Sequence, residues 1–130
     1  MDAFPIVLPP LAELPAALQQ SVSLICDNAA TASRPYLLHT IGVPGAGKSE
    51  LLDALQALLP QAVPLGFDRM MTGLEDFQRL AVQDAQMAFH AFEHPARQAG
   101  YHALQRLLQQ RAAILFEHSA AAAEHPALLH

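Results

Sequence analysis

Gly42-Val43-Pro44-Gly45-Ala46-Gly47-Lys48-Ser49 decides the fold of this chain. The eight residues complete the pattern G-x-x-x-x-G-K-[ST], a loop that wraps a polyphosphate. Lys48 is the one lysine among 7 basic residues, the others being arginines, so it does not belong to a general basic surface. The glycines Gly42, Gly45 and Gly47, with the small Ala46, let the backbone turn its N–H groups inward around phosphate oxygens. Lys48 then reaches the β- and γ-phosphates as a point charge, and the Ser49 hydroxyl is a ligand for Mg²⁺. A helix that starts at the loop adds the positive end of its dipole. At average residue usage the pattern arises by chance in well under about one in a hundred chains of this length.

The flanks have the arrangement that the loop requires. Tyr36-Leu37-Leu38-His39-Thr40-Ile41 reads as a buried strand entering it. Residues 49–59 carry apolar side chains at 51, 52, 55, 58 and 59, which is helical spacing. Upstream, residues 1–10 hold three prolines and read as an extended lead-in, and 11–33 contain a helix starting near Pro15. Downstream, Pro60 ends the loop helix, and residues 62–67 form a second short strand that Pro64 places at a sheet edge. Thr72 and Glu75 have capping-box spacing, which predicts a helix from about Gly73 to Glu93, broken or kinked at Pro95. A further helix follows from about Ala96 to Arg111. Residues 112–116 form a third buried strand ending at Glu117, and Pro126 begins a last short helix. Strands alternating with helices predict an α/β fold, a parallel sheet with helices on its faces and chemistry at the carboxyl ends of the strands.

Composition narrows the function. With 130 residues, 52% hydrophobic and 15% charged, the chain has the material for one folded core. A net charge of −5 argues against binding nucleic acid or an anionic membrane. No stretch approaches a membrane span, and no basic leader opens the chain. A single cysteine, Cys26, makes no internal disulfide, and a cytoplasmic setting is the simplest reading.

Two acidic residues fall where the loop's chemistry would use them. Asp68 directly follows the second strand, where a carboxylate accepts a proton from an acceptor hydroxyl in a phosphotransferase. A helix cap or a solvated turn is the alternative. Glu117 ends the third strand, where an acidic residue holds Mg²⁺ or its waters, or contacts the substrate. A charge facing water at a strand end is its alternative. Arg69, beside Asp68, suits a phosphate or an ordinary surface position.

With these residues in place, the chain resembles the zeta-toxin family of P-loop kinases. The resemblance rests on Gly42–Ser49, on Phe67-Asp68-Arg69, and on Ile114-Leu115-Phe116-Glu117-His118-Ser119 after a long helical stretch. It covers residues 34–130, with 1–33 as an N-terminal lead-in and helix. It implies a P-loop NTPase-type three-layer fold with strand order 2-3-1, ATP or GTP with Mg²⁺ as cofactors, and transfer of a phosphoryl group to a hydroxyl of a UDP-N-acetylhexosamine. In that reading Lys48 and Ser49 hold nucleotide and metal, Asp68 is the base, and Glu117 contacts the substrate. His118 stands where the family usually has glycine. The family's later strands and its arginine-bearing lid have no counterpart before His130, which leaves the first strand with an open edge. The second reading is therefore a truncated, catalytically weak nucleotide-binding module completed or regulated by a partner, with an antitoxin or self-association as the partner calls. A nucleotide hydrolase is the third, weakened by the lack of a glutamine near Glu117 to position water.

The remaining motifs point elsewhere than to a site. His90 and His94 are four apart on a helix but lack the H-E-x-x-H pattern, so surface or partly buried histidines are the default. Cys26, Met70, Met71, Leu104, Leu107 and Leu108 read as core. Arg97, Arg106 and Arg111 read as solvated helix faces.

Overall fold

The computed structural model describes residues 8–42 and 48–119. A 3-10 turn at Leu11–Glu13 leads into α1 (Ala16–Asp27), and then come β1 (Leu37–Gly42), α2 (Lys48–Leu58), β2 (Val63–Gly66), α3 (Phe67–Thr72), α4 (Glu75–Gln83), α5 (Ala85–Gln109) and β3 (Ile114–Ser119). The three strands form one parallel sheet in the order β1-β3-β2, which is the order expected from the sequence read from its other edge. Leu37 lies opposite Ile114 and Gly42 opposite Ser119, while Val63 to Gly66 lie opposite Ile114 to Glu117.

β3 lies between two layers of helix, which is why it is a continuous apolar run. Ile114 and Leu115 are both 0% exposed and Phe116 is 1% exposed. On one face Ile114, Phe116 and Leu65 join the main core with Leu18, Val22 and Cys26 of α1, Met70 and Met71 of α3, and Tyr101, Leu104 and Leu107 of α5. On the other face Ala113 and Leu115 pack with Leu52 of α2 and with Ala62. Pro64 does sit on an edge strand, as a residue without a ladder N–H must.

The helical stretch between β2 and β3 differs from its sequence reading. Thr72 is the last residue of α3, and its hydroxyl donates to the Asp68 carbonyl at 2.8 Å. It therefore does not cap the next helix, whose N-cap is Leu74. The break expected at Pro95 falls instead at Asp84, where the backbone is extended and Oδ1 accepts from Met87 N at 3.1 Å to cap α5. Pro95 lies inside the 25-residue α5. The residues after it, Ala96, Ala99, Gly100, Ala103 and Leu104, are buried, so packing on the sheet holds the helix through a position that forgoes one hydrogen bond.

Helix α5 also stops earlier than the periodicity suggested. Arg111 takes a positive φ of 57°. Arg111 N donates to Leu108 O and Ala112 N to Leu107 O, the paired bonds of a Schellman turn that redirects the chain into β3. β3 itself runs two residues past Glu117, so Glu117 lies within the strand and not at its end. The short helix expected at Pro126 falls outside the described residues.

Candidate functional site

β1 closes at Gly42, and α2 opens at Lys48 with Ser49 as its second residue. The five residues between them, which include Gly45, Ala46 and Gly47, fall outside the described residues. Their anchors define a strand-to-helix link at the carboxyl end of a parallel sheet, with an 11-residue helix starting there. A helix N-terminus in that place offers unsatisfied N–H groups to an anion.

The neighbouring strands bring the acidic residues to the same end. β2 finishes at Gly66, and Asp68 follows as the second residue of α3, exposed to solvent. Gly66 is opposite Glu117 in register, and Thr40 is opposite it on the other side. Glu117 is 6% exposed, the one buried charged residue among those described. The alternative of a charge facing water at a strand end is thus not what the structure has, because Glu117 is buried within β3. Glu117 is two residues from Leu115, which packs with Leu52, so it shares the sheet face that α2 covers.

On that face a chain of charges crosses three elements. Arg69 of α3 places Nη2 2.6 Å from Asp53 Oδ1 of α2 and Nε 3.8 Å from Glu117 Oε2 of β3. A buried carboxylate is costly without a charged or hydrogen-bonding partner, and the guanidinium supplies a positive charge to it. Gly66 borders the pair: a Cβ there would make ordinary contacts, 3.5 Å from both Glu117 Cβ and Oε2 and 3.7 Å from Arg69 Cδ. Asp53 was not singled out from the sequence. Nothing local marks it, because residues 53, 69 and 117 meet only through the sheet order.

The aromatic support beneath Asp68 was equally invisible. The Phe67 ring meets Tyr101 edge-on at 4.8 Å and Phe116 at 5.4 Å between centroids. It lies so close to α5 that a Cβ on Gly100 would stand 2.2 Å from it. Gly100 therefore admits the ring that begins α3 and carries the next residue, Asp68.

Other candidates separate from this cluster. Cys26 is buried with Sγ 3.8 Å from the Ala103 carbonyl, and desolvation pushes its thiol pKa up, which suits a packing role. His90 and His94 are both exposed, and no group of three or more metal-ligating side chains occurs among the described residues. Arg106 pairs with Asp27 at 2.6 Å, and Arg97, a partly buried residue, pairs with Glu93. Arg111 lies in the turn after α5 and not on a helix face. No helix among the described residues is long and apolar enough to cross a membrane.

The family model described as Zeta toxin matches residues 23–128. The match runs from within α1 through the whole sheet. No curated protein and no solved structure matches the chain.

Proposed function

The chain belongs to the zeta-toxin family, whose function is P-loop, nucleotide-binding and kinase-like, and from that premise we propose that it phosphorylates a hydroxyl of a UDP-N-acetylhexosamine with ATP or GTP. The observation that carries this reading is the shared location of three features. The anchors of the phosphate loop, Asp68 and the buried Glu117 all lie at the carboxyl end of one parallel sheet. That is where ligands bind in open α/β folds.

The residues fit a Mg²⁺–nucleotide by donor set and by placement. The start of α2 presents main-chain N–H groups, Lys48 supplies a cation, and Ser49 supplies a hydroxyl for the metal. Bound Mg²⁺ supplies charge neutralisation to the phosphates during transfer. Lys48 binds the β- and γ-phosphates and stabilises charge on the departing oxygen. Asp68, exposed at the start of α3, takes the proton of the acceptor hydroxyl through its carboxylate. The acceptor oxygen forms the new P–O bond as the bond from the γ-phosphorus to the bridging oxygen breaks, and the nucleoside diphosphate leaves with that electron pair. Glu117 orients the acceptor from the central strand. In this division residues 34–130 form the kinase-like domain and 1–33 its N-terminal lead-in and helix.

The test is phosphoryl transfer to UDP-N-acetylglucosamine and UDP-N-acetylgalactosamine with Mg-ATP and Mg-GTP. Phosphorylated sugar nucleotide supports the reading. Nucleotide binding without transfer favours the second reading, a nucleotide-binding module completed by a partner. That reading draws on the β1 edge, which bears no neighbouring strand among the described residues.

A further inference from the structure

Arg69 follows Asp68 directly and reaches two carboxylates on two other elements. Asp53 lies on α2, five residues past Lys48, which is about 7.5 Å along the helix axis. Glu117 lies on the central strand. We propose that Arg69 is a positioning residue: by spanning Asp53 and Glu117 it fixes the Glu117 carboxylate relative to the phosphate-loop helix and to Asp68. The proposal rests on the kinase reading above.

Arg69 offsets the burial of Glu117, but stability does not account for its second pair, with Asp53. The side chains of Asp53 and Arg69 are 68% and 38% exposed, and ion pairs in water contribute only about 0–1 kcal/mol. Geometry accounts for it better. The guanidinium spreads its charge over a planar fork, so Nη2 donates to Asp53 Oδ1 at 2.6 Å while the Nε edge faces Glu117 Oε2 at ion-pair distance, 3.8 Å. Its stem passes beside β2 at Gly66, where a Cβ would stand in ordinary contact, 3.7 Å from Arg69 Cδ. α3 has only six residues and begins directly off β2, so its orientation depends on what its side chains meet. The bridge thus ties three parts of the site together: the nucleotide-side helix, the proton-accepting turn and the substrate-side carboxylate. Loss of such supporting contacts characteristically lowers activity by about 10–100-fold without removing a reacting group.

The experiment compares the wild-type chain with Arg69→Met, Asp53→Asn, Glu117→Gln and the double variant Arg69→Met/Glu117→Gln. Transfer from Mg-ATP to UDP-N-acetylglucosamine is measured well below the melting temperature, with circular dichroism reporting the folded fraction. Arg69→Met should lower kcat by about 10–100-fold and leave KM for ATP within about twofold. The double variant should lose no more than Glu117→Gln alone, because Arg69 acts through that carboxylate. Asp53→Asn should show a smaller loss in the same direction, and its exposure lets it report even if Arg69→Met does not fold. Wild-type kcat in Arg69→Met or Asp53→Asn, or losses that multiply in the double variant, overturn the proposal alone. A wild-type chain that transfers nothing overturns the kinase reading, and the proposal with it.

Discussion

In the proposed mechanism Lys48 and Asp68 have different tasks, and substitution should separate them. Lys48→Ala removes the cation that meets the β- and γ-phosphates. In calorimetric titration with Mg-ATP and Mg-GTP it should bind far more weakly than the wild type, and equal binding by two folded proteins would sink the assignment. Asp68→Asn keeps the shape and loses the proposed base. It should lower turnover by about 10²–10⁴-fold and leave nucleotide affinity nearly unchanged. Full turnover in Asp68→Asn removes that residue from the mechanism. Arg111 offers a stability test away from the site. Its φ of 57° is disfavoured for a residue with a Cβ, by about 1–2 kcal/mol. Arg111→Gly relieves this but gains freedom in the unfolded chain, so a net stabilisation of about 0.5–1 kcal/mol is expected in urea unfolding. A destabilised Arg111→Gly would mean that the arginine side chain contributes more than its backbone costs.

Helix α5 supports the site from behind. Its small residues Ala96, Ala99, Gly100 and Ala103 let it approach the sheet closely, and Gly100 takes the Phe67 ring. Gly100→Ala puts a methyl where the ring lies and must displace it or the helix. Overpacking of this kind costs about 1–3 kcal/mol, more than the gain in helix propensity of about 1 kcal/mol. A melting temperature lower than wild type is the expected outcome, and an unchanged or higher one would show that Phe67 moves freely. Because Phe67 precedes Asp68, the same variant should also lower transfer. The helix layout around α5 was only partly legible. Period and composition marked helices across this stretch, but the break went to Asp84, whose side chain caps the next helix, and not to Pro95, which packing holds in place.

Among the described residues the sheet has two unlike edges. β2 has four residues and carries Pro64, so it offers little to another strand. β1 has six residues with neither proline nor a charged side chain, and Leu37 and Leu38, on opposite faces, are 42% and 39% exposed. Leu51 of α2 and Leu24 of α1 add exposed apolar surface, at 51% and 58%. Natural edges are usually blunted by charge, proline or a bulge, and β1 has none of these within it. The chain should therefore self-associate through β1, with two copies pairing edge to edge. Light scattering with Leu38→Lys as the control checks this: the wild type should exceed monomer mass and the variant should approach it. A monodisperse wild-type monomer at high concentration would show that the β1 edge is tolerated as it stands.

The eight residues from Gly42 to Ser49 determined by themselves that a strand enters and a helix leaves a phosphate-binding loop, because backbone freedom, one cation and one hydroxyl at fixed spacing have few other uses. The apolar run at residues 112–116 likewise declared a strand buried on both faces, since only such a strand dispenses with alternation. Asp68 was legible as a carboxylate just after a strand, which is local information. The burial of Glu117 was not, because it depends on helices from distant parts of the chain covering its strand. Nor could spacing show that Asp53, Arg69 and Glu117 form one bridge, or that Gly100 makes room for Phe67. Those contacts join residues 16 or more positions apart, and only the parallel order of the three strands and the packing of α5 against them bring the side chains within reach.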